Sequence, residues 1–398
     1  MRNTPSRKAL RLARALRRAG EHAQDMSVVL HDRFRSGCHV QHEASLLLED
    51  RISIAASILD KKGKTSPETV FRLAFAMQSQ SGSLLSYSAV VHVQEDDPNI
   101  DTTPSKLPQA DVQTTAVAHA KRVSVSSIGS PRVHFQTTTA TVVLTSPPTP
   151  PRTPRGVVWV DRICSALESM TRENTQASFV LTKGLQIGIR NCLEAPSQPL
   201  LVCDRRMTMQ DLFGGDKIQK RPLKFRMFLA LRLASNLLQL YQTQWLQNAW
   251  SKSNISFPLR TGPNGDGVAD LDQPLISLVF DDDFPSTPPP KPPDLKLVLL
   301  ELGILLLELW HQESFESRCS TDIVPTGYYQ RLAVAMEWLD DTTDPMPEQY
   351  ERAASLCIRG MIGGTSHFDN GDDSFWGAVC EDIIEPLQKN CKPWQRSQ

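Results

Sequence analysis

None of the eight cysteines sits in a CxxC pair, and no GxSxG or HExxH pattern occurs in the 398 residues. The signatures of a redox pair, a serine hydrolase and a zinc protease are therefore missing. Net charge is nearly absent too, at −1, which excludes a bulk electrostatic attraction to nucleic acid. No apolar run near the N-terminus has the form of a signal peptide, and the aliphatic stretch Leu297 to Trp310 is too short and too acidic to cross a bilayer. Scattered thiols suit a reducing compartment. A soluble intracellular protein, cytoplasmic or nuclear, without structural disulfides is expected.

What is present centres on DLKLVLLELGILLLELW, residues 294 to 310, in which Asp294, Glu301 and Glu308 recur every seven positions among large aliphatics. Only a buried helix reads like that: the carboxylates form one narrow stripe, and the rest of the circumference must be covered by other parts of the chain. The stripe, Glu308 included, is expected to be the solvated edge, with Leu305 in the core. Gly303 costs about 1 kcal/mol of helix propensity relative to alanine, so another backbone or a bulky side chain is expected close by.

Ahead of this helix, Leu10, Ala13, Leu16, Ala19 or Gly20, Ala23, Met26 and Leu30 recur at three and four between Ser6 and Phe34, opposite Arg7, Arg11, Arg14 and Arg18. This is an amphipathic helix with a basic face, read as a solvated face of a packed helix ahead of a membrane-binding one or a transit peptide. Cys38, His39 and His42, with His31 before them, are ligand-type residues whose spacing fits no common zinc module; ordinary loop and surface placement is expected, with no metal. Ala44 to Arg51 and Val70 to Met77 suggest a strand pair around a Lys61 to Pro67 turn, with helix as the alternative for either.

From Gln78 to Arg155 serine, threonine and proline dominate and no period holds, so most of the tract is expected to be disordered, apart from strand-like patches at Tyr87 to Val93 and Arg132 to Phe135. Its end, SPPTPPRTPR, sets Pro147, Pro150 and Arg152 in a PxxPxR arrangement that an SH3-type groove reads as a polyproline helix. Ser146, Thr149 and Thr153 each precede proline and are candidate phosphorylation sites.

Val157 to Met170 resumes a helical period, and FVLTKGLQIGI (179 to 189) and PLLVC (199 to 203) read as strands, so the fold class is α+β. Met209 to Phe213 reads as a short helix stopped by Gly214 and Gly215. Leu223 to Trp245 follows as one strong helix, with Arg232, Gln239 and Gln242 on its polar face. SKSNISF (251 to 257) reads as a loop entering a strand. GPNGDG is not a phosphate-cradling GxGxxG, and Asp281 to Asp283 reads as a solvated acidic loop. Helices are expected at Tyr328 to Trp338, Glu348 to Arg359 and Phe375 to Leu387.

LRLASNLLQLYQTQWLQNAWSKSNISF (231 to 257) and LELGILLLELW (300 to 310) resemble two signatures of a fungal family of uncharacterised proteins with a degenerate protein-kinase-like domain, with Gln244 in place of the proline of that family's "TPWL" segment. ALRRAGEHAQDM, Cys38 to Arg51, RICSAL and LVCDRRMTMQDLF are more weakly similar. The resemblance implies a bilobal fold with a small β-containing N-lobe and a mainly helical C-lobe: residues 1–94 as N-terminal helix and start of the N-lobe, 95–155 as disordered insert, 156–213 as the rest of the N-lobe with a hinge-like segment, and 214–392 as C-lobe. It likens Leu223 to Tyr241 to the kinase helix E and Leu295 to Trp310 to the central helix F. Asn254 then falls on the metal-binding asparagine, Ala249 on the catalytic aspartate, and Val298 on the helix-F aspartate that braces the catalytic loop; Gly303 matches that helix's glycine.

HRD, DFG and a Gly-rich loop are absent, and no VAIK lysine can be placed. Phosphoryl transfer needs metal ions and a positioned carboxylate, so their joint loss implies a noncatalytic interaction or signalling module with protein partners, no cofactor and no catalytic residue. The alternative class is an atypical phosphotransferase or nucleotide-binding protein.

Overall fold

The computed structural model describes residues 4–34, 41–52, 69–78, 84–94, 157–171, 177–190, 205–214, 221–246, 252–261, 267–280, 293–319, 325–363 and 372–395. The expected disordered insert 95–155, the strand-like patch at 132–135, the proline tract 147–152, the turn at 61–67, PLLVC, Ala249 and Asp281 to Asp283 lie outside them.

The fold is mixed α+β. Helix α1 (Arg7–Phe34) leads into a sheet opened by β1 (Gln41–Leu47), β2 (Thr69–Gln78) and β3 (Leu84–Gln94). β4 (Val157–Trp159), α2 (Ile163–Thr171), β5 (Ala177–Thr182), β6 (Ile187–Arg190), β7 (Arg206–Thr208) and α3 (Met209–Gly214) follow. Helix α4 (Leu223–Leu240) precedes β8 (Ile255–Thr261), β9 (Gly267–Ala269) and β10 (Leu275–Phe280). The chain closes with α5 (Leu295–His311), α6 (Tyr328–Leu339), α7 (Glu348–Arg359), α8 (Asp373–Val379), a π-helical turn over Cys380–Ile384, and α9 (Glu385–Gln395).

The strands form one sheet in the order β4-β6-β5-β3-β2-β1-β10-β8-β7, with β9 paired to β8. All pairs are antiparallel except β3 with β5, whose parallel pairing requires the long crossover that carries β4 and α2. One sheet thus draws strands from 1–94, 156–213 and 214–392. Alternation sets its buried face: Ala44 and Leu46 on β1 stand opposite Phe75 and Leu73 on β2, with Phe71, Met77, Val91 and Phe179 on the same side and all nearly inaccessible. Phe34, at the end of α1, meets this face, stacking on His42 at 4.8 Å and edging Phe75 at 5.7 Å. α1 also packs on α4 and α8, so a single hydrophobic core runs from the sheet into the helices.

Several boundaries differ from the sequence reading. Val157 to Trp159 is an edge strand paired to β6, and the helix begins only at Ile163. α4 stops at Leu240, not Trp245, because the Thr243 hydroxyl and amide both take the Leu240 carbonyl, turning the chain so that Trp245 reaches the Ala23 carbonyl on α1. Gln239, expected on a polar face, is 1% exposed because α1 crosses it. The final helical stretch runs on to Gln395 through the π-helical turn.

α5 holds the central position its composition demands. Asp294 caps it, accepting from the Lys296 amide at 3.0 Å, and Gln312 ends it in a left-handed conformation. Val298, Leu299, Leu300, Leu302, Leu306 and Leu307 are fully buried, Leu305 nearly so, and the completely buried Tyr350 hydroxyl donates to the Leu306 carbonyl at 2.8 Å. Of the expected solvated stripe only Asp294 is exposed: Glu301 is largely covered by a two-pronged pair with Arg331, and Glu308 is 0% exposed. No helix among the described residues is long and apolar enough to cross a membrane.

Candidate functional site

The loop before β8 is where the resemblance places its chemistry. Residues 252–254 form a turn, and Ile255 and Phe257 then plunge into the core as alternate residues of β8. The turn is held to α5 by a lysine. Lys252 Nζ lies 2.6 Å from Glu308 Oε1 and 2.6 Å from Glu316 Oε2, on the short helical turn Phe315–Arg318 that follows α5. Glu308 Oε1 also accepts from the Phe315 amide at 2.7 Å, so one oxygen joins the loop, the helix and the turn beyond it.

Burial and charge pairing pull against each other across this clasp. Burial opposes the charge on Lys252, but Glu308 and Glu316 outweigh it and push its pKa up. Burial holds the Glu308 carboxyl above its usual range against the pull of Lys252, whereas Glu316, nearer the surface, is drawn below it by the same ammonium. A lysine with a raised pKa is a cation at neutral pH and is neither nucleophile nor base. The two carboxylates already hold an ammonium, and among the described residues no group of three or more His, Cys, Asp or Glu is arranged to hold a metal ion.

The other positions singled out in the sequence disperse. Asn254 is exposed in the turn, and its backbone carbonyl accepts from the Ser277 amide at 3.3 Å. Val298 is buried in the α5 core, and Gly303 faces α7. Of the possible metal ligands, Cys38 and His39 lie outside the described residues, while His42 is a core residue whose Nε2 stands 3.2 Å from Cys164 Sγ. On the basic face of α1, Arg14 and Arg17 reach Asp373 at 2.9 and 2.6 Å.

The chain belongs to the family of the domain of unknown function DUF7580, which spans residues 13–394. No curated protein and no solved structure matches it. The span takes in α1 from residue 13 onward, the sheet and the helices around α5, so the clasp belongs to the family domain. The sequence reading missed Lys252 because one lysine in a polar loop carries no periodic signal. Glu308 did carry one, as an acid in a helix otherwise covered all round.

Proposed function

We propose that the chain is a noncatalytic protein-kinase-like interaction or signalling module, with a small β-containing N-lobe and a mainly helical C-lobe. The observation that supports this most is the use made of the loop before β8: Lys252 is engaged as a structural clasp on Glu308 and Glu316, and Asn254 serves as an exposed turn residue. A phosphoryl-transfer loop needs its carboxylates for metal ions and the nucleophile, and the acids that reach this loop are neutralised by an ammonium. α4 and α5 stand for helices E and F in this reading, and the buried, central α5 suits that assignment. Pro147, Pro150 and Arg152 are then a docking element for an SH3-type partner.

Thermal unfolding with ATP, with and without magnesium, tests the reading, since a ligand that prefers the native state raises its stability. No shift and no turnover are expected. Magnesium-dependent stabilisation, accompanied by turnover that Asn254→Ala abolishes, would overturn it in favour of an atypical phosphotransferase or nucleotide-binding protein.

A further inference from the structure

The N-terminal half of α1 carries a charge pattern that packing does not explain. Arg7, Arg11, Arg14 and Arg18 are all exposed and follow one another at four, three and four residues, which sets them in a single line about 16 Å long on the helix surface. Lys8 stands beside the line and is exposed too. Like charges at these spacings repel, and cations in the first turn oppose the positive end of the helix dipole. α1 has no acid in its first turn, and its first acid of any kind is Glu21. The rest of the helix mixes its charges as a solvated face does, with Glu21, Asp25 and Asp32 set among His22, His31 and Arg33.

One contact within the chain shows what this line takes. Asp373, the first residue of α8, lies 2.9 Å from Arg14 Nε and 2.6 Å from Arg17 Nη1. Glu381 accepts from the Ser6 amide at 3.3 Å, ahead of the helix, and among the described residues no carboxylate pairs with Arg7, Lys8 or Arg11. Beside the arginines runs a second line, Leu12, Ala15 and Ala19, each half-buried and each one residue on from an arginine. Small side chains there let another helix come close, and Leu12 gives it apolar surface. A lipid surface or a nucleic acid would use the charges and leave that apolar line idle; an amphipathic acidic helix uses both.

We propose that this edge of α1 docks an acidic helix of a partner protein, with carboxylates at the same four-three-four spacing against the line from Arg7 to Arg18 and apolar side chains on Leu12, Ala15 and Ala19. The surface lies away from the loop before β8 and does not depend on the noncatalytic reading. Its test contains no nucleotide, so the two readings fail separately.

Fluorescence anisotropy of the full chain with the labelled peptide ELAAELAELAAELA, at low ionic strength, reads the docking directly. The peptide is expected to bind, more weakly as salt is added, and its uncharged counterpart QLAAQLAQLAAQLA at least about tenfold more weakly, which is 1.4 kcal/mol. Arg7→Glu combined with Arg11→Glu should weaken the acidic peptide by at least about tenfold while its denaturation midpoint stays level or rises, because carboxylates suit the start of a helix. A merely structural role for the arginines would lower that midpoint instead. Absence of peptide binding at millimolar concentration, equal binding of the uncharged peptide, or full binding by the doubly reversed variant would each overturn the proposal. Phosphatidylserine vesicles and a short DNA duplex are the competing occupants: capture by either through the same arginines, with no peptide binding, makes this a phosphate-reading face. A dimer by light scattering that the double reversal dissociates makes the occupant a second copy of the chain.

Discussion

Gly303 of α5 lies against Ile358 of α7 so closely that a Cβ would stand 2.6 Å from Ile358 Cγ1 and 3.2 Å from both Cys357 Cβ and the Ile358 backbone nitrogen. Gly303→Ala regains about 1 kcal/mol of helix propensity but must push α7 aside, and overpacking of this kind costs about 1–3 kcal/mol. A net loss of roughly 1 kcal/mol is expected in equilibrium denaturation. The loss should shrink in an Ile358→Ala background, where the nearest obstructing atom is gone; a loss unchanged there would show that Ile358 is not the obstacle.

Arg331 makes two parallel bonds of 2.6 Å to Glu301, and its guanidinium stacks 4.7 Å from the Phe315 ring centre. Lysine can supply neither the fork nor the flat face, so Arg331→Lys should cost about 1–2 kcal/mol despite keeping the charge. Arg14→Ala, which removes an arginine whose side chain is 65% exposed from its pair with Asp373, should change stability by less than about 1 kcal/mol. Equal losses from the two variants would contradict this.

Glu43 on β1 sits in a network with Arg206, Ser45 and Ser277 that ties β1, β7 and β10 together. Burial alone would raise its pKa, but Arg206 and the two serine hydroxyls outweigh it and hold the carboxyl below its usual range. A carboxyl with a depressed folded-state pKa contributes stability that is present above the unfolded value, near 4.5, and is lost as pH falls through the folded one. Glu308, with its raised pKa, works in the opposite sense, contributing stability at low pH that is lost as pH rises through its folded value. On acidification through this range, Glu43→Gln should lose stability less steeply than the parent chain and Glu308→Gln more steeply. Denaturant midpoints measured across the acid range read both slopes, and parallel curves would refute the assignment.

Cys164, Cys357, Cys380 and Cys391 are each at most 1% exposed. Burial pushes the Cys357 and Cys380 thiols up, and pushes Cys391 up to about 12 with help from Asp50. Because the thiolate is the reactive form, iodoacetamide should leave these four unmodified in the native chain and modify them once it is unfolded. Peptide mass mapping reads the result; native labelling of Cys357 would show that α5 and α7 separate readily.

The helices with a clear apolar period were legible in the sequence, and α1, α5, α6 and α7 lie where their spacing put them. The contact at Gly303 was legible for the same reason: a glycine amid leucines signals crowding. Short strands were not. β7 and β9, three residues each, are too short to display alternation, and β10 owes its place between β1 and β8 to pairing partners hundreds of positions away or across a loop. Burial of polar groups was the other blind spot. Gln239 and Glu308 occupy positions that a helical wheel colours as surface, and only the tertiary crossing of α1, or the arrival of Lys252, places them inside.

The clasp at Glu308 decides how α5 is anchored, and its three members should respond unequally. Lys252→Met removes the only counter-charge that reaches Glu308 among the described residues, leaving a carboxylate at 0% exposure whose Oε2 is already unpaired there. Breaking a buried pair this way costs about 3–5 kcal/mol, because the stranded group must be desolvated without compensation or take up a proton. Glu308→Gln is milder: the amide oxygen still accepts from the Phe315 amide, and Lys252, 15% exposed, keeps Glu316. Glu316→Gln, at a side chain 42% exposed, should cost no more than about 1 kcal/mol. Leu305→Ala gives the scale, since a nearly inaccessible leucine in the same helix should cost about 2–5 kcal/mol. The expected order of loss is Lys252→Met, then Glu308→Gln, then Glu316→Gln. If Glu316→Gln proved as damaging as Lys252→Met, the lysine would be anchored chiefly at the surface, and the loop before β8 would be free to move without disturbing α5.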